Sequence, residues 1–384
     1  MRENKNIQKV SIIATAFSLV VASILIVSCN GNSHTTTSTA DSTIVTETAK
    51  EASGNIKPKG AAPAWAPDIK PGMLAVIEKL TSYGDRPIES LTAEDARKNH
   101  SPADAVADLL RENEIMLPAS TVDTVGQDIA VPGGNIHLRI YTPKGHTGSL
   151  PVIVYYHGGG FVIAGIDAYN ASVRGMAEQT GAIVVAVAFR LGPEYKFPVA
   201  HNDAFAAYQW VVNNVASING DAKKITVMGE SAGGNLAANV SIMARDNGVA
   251  LPVCEVLVYP ITGANVNTQS YQKNASAKPL NKPMMEWFFK NYLNNMDEAK
   301  DPRINLVAAD LKGLEPAMII TDELDPLQSE GMMLADKMKA AGVSVDSKNY
   351  DGVTHEFFGM AAIVPQAKDA QAYAADFFKK AFGK

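Results

Sequence analysis

Ile225-Thr226-Val227-Met228-Gly229-Glu230-Ser231-Ala232-Gly233-Gly234 carries most of the information in this chain. An apolar, β-branched run ends in Gly-x-Ser-x-Gly and continues into a helical pattern from Ala232 to Ala244. Such a run places a serine on a strained strand-to-helix turn. Glycines flank the serine because the backbone there approaches its neighbours too closely for most side chains.

Seventy-two residues before this motif stands His157-Gly158-Gly159-Gly160, which also follows an apolar run, Val152 to Tyr156. A glycine loop in that position can turn backbone N–H groups toward a developing oxyanion. Either motif alone is weak, since Gly-x-Ser-x-Gly occurs by chance and three glycines can simply be a loop. In this order, each after a strand, they point to acyl-transfer chemistry.

A serine hydroxyl attacks only when a base takes its proton and a third group orients that base. With a nucleophile elbow the chain order is Ser, then Asp or Glu, then His. Of the seven histidines only His355 follows Ser231, so this order leaves His355 as the base. The acid should follow a strand, and Ala317 to Thr321 is such a run, with Asp322, Glu323 and Asp325 behind it. Asp322 is nearer the strand end. Asp325 precedes Pro326, which keeps it extended and suits a fixed loop carboxylate. Spacing leaves both open.

Around these motifs strand and helix alternate. Val122 to Val131 and Ile136 to Tyr141, joined by Pro132-Gly133-Gly134-Asn135, read as a strand pair. Ala182 to Ala188 and Val253 to Tyr259 read as further strands, with helices over 168–180, 202–215 and 329–341. Continuous apolar strands alternating with helices predict an α/β fold, a mostly parallel central sheet covered by helices on both faces. Helices over Pro71–Leu80 and roughly Thr92–Glu114 precede the sheet pattern, and residues 262–310 contain no sheet strand. The segments near 63–118 and 262–310 are therefore expected to form a helical cap, with Trp287, Phe288, Phe289, Tyr292 and Leu293 packing the second element.

The amino terminus carries Arg2, Lys5 and Lys9 before a largely apolar stretch, Val10 to Val27, and then Ser28-Cys29. Residues 1–28 read as a lipoprotein-type signal peptide, with Cys29 lipidated. An uncleaved anchor is the alternative, since 18 residues is about the shortest span of a bilayer. Both predict an exported protein held at the membrane of a bacterial cell envelope, with inner or outer membrane left open. Residues 29–62, rich in Thr, Ser and Ala, should form a flexible tether ahead of an enzyme domain over 63–384. Removing residues 1–28 takes away three basic residues and one acid, moving the net charge from −6 to −8. No basic run exceeds a pair, which speaks against nucleic acid as a partner. With Cys29 lipidated only Cys254 remains, so no internal disulfide is expected, and Cys254 reads as a small core residue. No metal-ligand pairing, dinucleotide loop or P-loop is present in the sequence. Nothing in it sets an oligomeric state.

From about Trp65 to the C-terminus the chain resembles the bacterial hormone-sensitive-lipase-like esterases of the α/β-hydrolase fold. The resemblance rests on His157–Gly160 and Gly229–Gly234, and on Phe189-Arg190-Leu191-Gly192-Pro193-Glu194 with Phe197-Pro198. Asp301-Pro302-Arg303-Ile304, Asp322–Leu327 and His355-Glu356-Phe357 extend it. It implies a serine carboxylesterase acting on small or short-acyl esters through an acyl-enzyme, without metal or cofactor. Ser231 would be the nucleophile, His355 the general base and acid, and Asp325 the orienting carboxylate. The oxyanion hole would be the N–H groups of Gly159, Gly160 and Ala232, with His157 steadying the glycine loop. The chain departs from the pattern at Gly192, where alanine is usual, at Gln328-Ser329, where Arg-Asp is usual, and in its leader. A non-catalytic surface-binding protein of the same fold, or an amidase or peptidase using the same triad, are the alternatives.

Overall fold

Eight strands form one sheet in the computed structural model, which describes residues 56–384. They are β1 (Val122–Val131), β2 (Gly134–Pro143), β3 (Leu150–Tyr156), β4 (Ile183–Ala188), β5 (Gly220–Glu230), β6 (Glu255–Val258), β7 (Ala317–Leu324) and β8 (Val345–Thr354). Their order is β1-β2-β4-β3-β5-β6-β7-β8. β1 pairs with β2, and β2 with β4, antiparallel; every later pairing is parallel. The β1–β2 register closes at Val131 opposite Gly134, so Pro132-Gly133 is a two-residue turn.

The helices are α1 (Pro71–Ser82), α2 (Ala93–Ala96), α3 (Pro102–Glu112), α4 (Asn170–Thr180), α5 (Val199–Asn214), α6 (Ala232–Asp246), α7 (Gln269–Lys273), α8 (Lys282–Tyr292), α9 (Gln328–Ala340) and α10 (Pro365–Ala381). Alternate strand residues point to opposite faces, and each face has its own core. Val152, Val154, Ile183, Val185 and Val227 meet α5, α6 and α9 on one side. Ile153, Tyr155, Val184, Ala186 and Met228 meet α1, α3, α4 and α10 on the other. This is the α/β-hydrolase fold.

The structure corrects the expected elements in four places. The single helix expected over Thr92–Glu114 is two, α2 and α3, separated at residues 97–101. Ser101 starts a new helix there: its side chain accepts the Asp104 N–H, Asp104 accepts the Ser101 N–H, and Pro102 follows. β8 and α10 were not anticipated. Residues 56–62, expected to belong to the tether, pack on the domain instead. Ile56 is buried in the core, and the N–H groups of Lys59 and Gly60 donate to Glu78 at 2.6 and 2.7 Å. The expected signal segment, Cys29 and the rest of the expected tether, residues 29–55, lie outside the described residues. Among the described residues no helix is long and apolar enough to cross a membrane.

Candidate active site

β5 ends at Glu230, and Ser231 turns the chain into α6 with φ 56° and ψ −117°. A side chain at positive φ is strained, and the surroundings hold it there. The Ser231 N–H donates to the Val258 carbonyl at 2.9 Å, and its own carbonyl accepts the Ile261 N–H at 3.1 Å. A Cβ on Gly229 would collide with the Gly233 backbone, and one on Gly233 with the Tyr156 carbonyl. The flanking glycines are therefore required by close approach.

Two other strand ends deliver the partners. His355 follows β8, and its Nε2 accepts from Ser231 Oγ at 2.8 Å. Its Nδ1 donates to Asp325 Oδ2 at 2.6 Å, while Asp325 Oδ1 accepts the Leu327 N–H at 2.8 Å. All three side chains are buried. Burial disfavours the His355 imidazolium, but the charge of Asp325 and its hydrogen bond, with Glu356 and Glu230 behind, carry the pKa above the usual imidazole value. Asp322 makes no bond to His355. It is buried, and burial first, then the nearby Asp325 charge, push its carboxyl pKa well above the usual range. Of the two acids that spacing left open, Asp325 is the one hydrogen-bonded to His355.

Gly159 and Gly160 follow β3 with φ of 96° and 59°. A Cβ on Gly159 would enter the Ile163 carbonyl, and one on Gly160 the Phe288 ring. Their N–H groups, and that of Ala232 at the start of α6, donate to no protein acceptor among the described residues. His157 is buried, donates through Nδ1 to the Gly158 carbonyl at 2.8 Å and stacks on Phe189 with centroids 4.2 Å apart. Burial holds its pKa down at about 4, so it is neutral.

Several supporting residues had no sequence signal of their own. The Asn274 amide donates to the Asp325 carbonyl at 2.9 Å, fixing the acid loop from α7. Tyr155 and Tyr259 both donate to Glu230, and Tyr169 donates to Glu356 at 2.5 Å. Tyr259 also packs on the His355 ring with centroids 4.5 Å apart. The two departures from the family pattern that fall within the described residues are accommodated. Gly192 lies against the α8 backbone, where a Cβ would stand 3.0 Å from the Asn291 oxygen. Ser329 accepts the Ser270 N–H at 3.0 Å and Gln328 donates to Asn349 at 2.9 Å, tying the acid loop to α7 and β8.

A cleft of about 920 Å³ opens over Ser231 and His355. Its walls include residues between Leu80 and Asp104 and, opposite, Leu280, Met284, Met285 and Phe288 from the α8 segment. Trp287 joins the two walls by donating to the Leu91 carbonyl at 3.1 Å. Arg97 clamps the first wall to the glycine loop, donating to Val162 O at 2.8 Å, Gly192 O at 2.7 Å and both oxygens of Glu194. Among the described residues Asp322, Asp325 and His355 are the trio close enough to share a metal, within 4.8 Å of one another. Both His355 nitrogens are already hydrogen-bonded, to Ser231 and Asp325, and the Asp322 oxygens have no hydrogen-bond donor among the described residues.

The family described as alpha/beta hydrolase fold matches residues 153–359, a span running from β3 past His355. The chain belongs to the α/β-hydrolase fold family. It is 38% identical over 261 residues to the carboxylesterase NlhH of Mycobacterium tuberculosis, covering 66% of this chain and 81% of that relative. It is 30% identical over 309 residues to an ethyl acetate hydrolase of Pseudomonas putida, covering 79% of this chain and 95% of the other. Among solved structures, a thermostable esterase from Pseudomonas putida ECU1011 superposes with a TM-score of 0.75 at 32% identity, covering 82% of this chain and 98% of that one.

Proposed function

We propose that this α/β-hydrolase is a serine carboxylesterase that cleaves small, short-acyl esters through an acyl-enzyme. The observation that carries the reading is one ring: His355 bridges Ser231 Oγ at 2.8 Å and Asp325 Oδ2 at 2.6 Å, at the floor of an open cleft. His355 takes the Ser231 proton as Oγ bonds to the ester carbonyl carbon, and the Gly159, Gly160 and Ala232 N–H groups receive the oxyanion. The C–O bond to the alcohol then breaks, and His355 returns the proton to that oxygen. Water, deprotonated by His355, attacks the acyl-enzyme, and the carboxylic acid leaves as the proton returns to Ser231. The relative named as a carboxylesterase supports ester hydrolysis, and the one named as an ethyl acetate hydrolase supports a short acyl group.

The matching test is a p-nitrophenyl ester series from acetate to decanoate beside the matched anilides. Ester turnover that falls with acyl length, with anilides inert, is expected. Faster anilide turnover would make the protein an amidase.

The same proposal places the enzyme on a membrane through a lipid at Cys29, supported by the basic and apolar segment ahead of it. Labelled palmitate should enter the unaltered protein and not Cys29→Ser. Equal incorporation in both would remove the anchor from the account.

A further inference from the structure

Asp322 stands on β7, three residues before Asp325. It is 0% exposed, and neither carboxyl oxygen has a hydrogen-bond donor among the described residues. A buried carboxylate with no donor and no cation is strongly disfavoured. An Asp322 oxygen, an Asp325 oxygen and a His355 nitrogen all lie within 4.8 Å of one another. The titratable groups facing Asp322 are Asp325 on the loop after β7, and His355 and Glu356 on the loop after β8. None is a lysine or arginine.

Two carboxyls sharing a buried site do not both ionise; one keeps its proton. Asp325 is equipped to hold the charge, with the Leu327 N–H on Oδ1 at 2.8 Å and the His355 ring on Oδ2 at 2.6 Å. Asp322 has neither. The remaining proton belongs on Asp322, and the acceptor beside it is Asp325.

We propose that Asp322 keeps its carboxyl proton and donates it in a hydrogen bond to Asp325, as a positioning residue for the Asp325–His355 pair. The donation gives Asp325 a third fixed partner and draws off part of its negative charge. Its effect on turnover rests on the esterase reading, whereas the protonation does not.

Two measurements decide it. The infrared difference between the unaltered protein and Asp322→Asn at neutral pH should show the loss of one protonated-carboxyl carbonyl band. No such loss overturns the proposal. With p-nitrophenyl acetate, Asp322→Leu removes the donor, while Asp322→Asn keeps one. Asp322→Leu should lower kcat about 10-fold, the scale of a lost hydrogen bond to a charged group, with KM little changed. It should also raise the acid-limb midpoint of kcat/KM, because an undiluted Asp325 charge stabilises the imidazolium. Asp322→Asn should recover most of both effects. Unchanged kcat and acid limb in Asp322→Leu, or an Asn variant shifted as far as the Leu variant, overturns the proposal. Should the Leu variant not fold, Asp322→Ala serves as the donor-free arm. If the unaltered protein turns over no ester, the esterase reading fails, and the infrared band alone decides the state of Asp322.

Discussion

Asp325 grips His355 from one carboxylate oxygen at 2.6 Å while its other oxygen is fixed by the Leu327 N–H at 2.8 Å. That leaves His355 Nδ1 as the donor and Nε2 as the acceptor facing Ser231. Asp325→Asn can present its amide to Nδ1 and hold the ring in the wrong tautomer, so kcat should fall about 10⁴-fold with KM nearly unchanged. Steady-state kinetics on one short-acyl ester checks this. A loss of less than about tenfold would mean Asp325 does not orient the base.

With its pKa raised, His355 should set the pH dependence of turnover. The base must be neutral to accept the Ser231 proton, so kcat/KM should climb with pH through a midpoint above the usual imidazole value of about 6.5. Linkage has the opposite sign for stability. A group whose folded pKa is raised stabilises the fold fully below its unfolded pKa, and that contribution disappears as pH rises through the folded pKa. A kcat/KM profile over this range is the check, and a midpoint below the usual imidazole value would contradict the geometry.

Gly159 and Gly160 should respond differently to alanine. The Gly160 Cβ would meet the Phe288 ring, a side chain, whereas the Gly159 Cβ would meet the Ile163 carbonyl, which is backbone. Each substitution should lower kcat by about 10²-fold or more by displacing an oxyanion donor. Adding Phe288→Ala should restore part of the activity of Gly160→Ala and none of that of Gly159→Ala. Rescue of both by Phe288→Ala would show that the ring is not the specific obstacle.

A second pair of buried acids lies away from the site. Ser241 Oγ is hydrogen-bonded to Glu315 and, at 2.9 Å, to Glu255. One hydroxyl hydrogen cannot serve two carboxylates, so at least one carboxyl supplies a proton. Burial, then the Glu315 charge, drives the Glu255 pKa well above the usual carboxylate value, and burial lifts Glu315 to about 6. With folded pKa values above unfolded ones, the native state binds more protons, and stability falls as pH rises from the unfolded value through the folded ones. Glu255→Gln removes one ionisation and should raise Tm more at about pH 8 than at about pH 5. Equal shifts at both pH values would mean the pair is not the source of the pH dependence.

The elbow, the glycine loop and the central strands were legible because their chemistry is local: a β-branched run, a turn that admits only glycine, a helix behind it. His355 was legible through chain order. β8 was not, although it delivers His355. It is an edge strand, and Asp346, Ser347, Lys348 and Asn349 give it no apolar alternation. The break between α2 and α3 was written in Ser101-Pro102 and Asp104, but the continuous periodicity around it was the stronger signal. Asp322 and Asp325 could not be told apart by spacing, since the distinction lies in which carboxyl meets the Leu327 N–H and the His355 ring. Asn274, Tyr169 and Tyr259 act across long sequence separations, where no local pattern marks them.

The central claim is that Ser231 is an activated nucleophile, and covalent labelling reads that atom directly. A fluorophosphonate probe should modify the unaltered protein at Ser231, faster as pH rises through the His355 transition, and should leave Ser231→Ala unlabelled. Failure to label the folded, unaltered protein, or equal labelling of Ser231→Ala, would contradict the account.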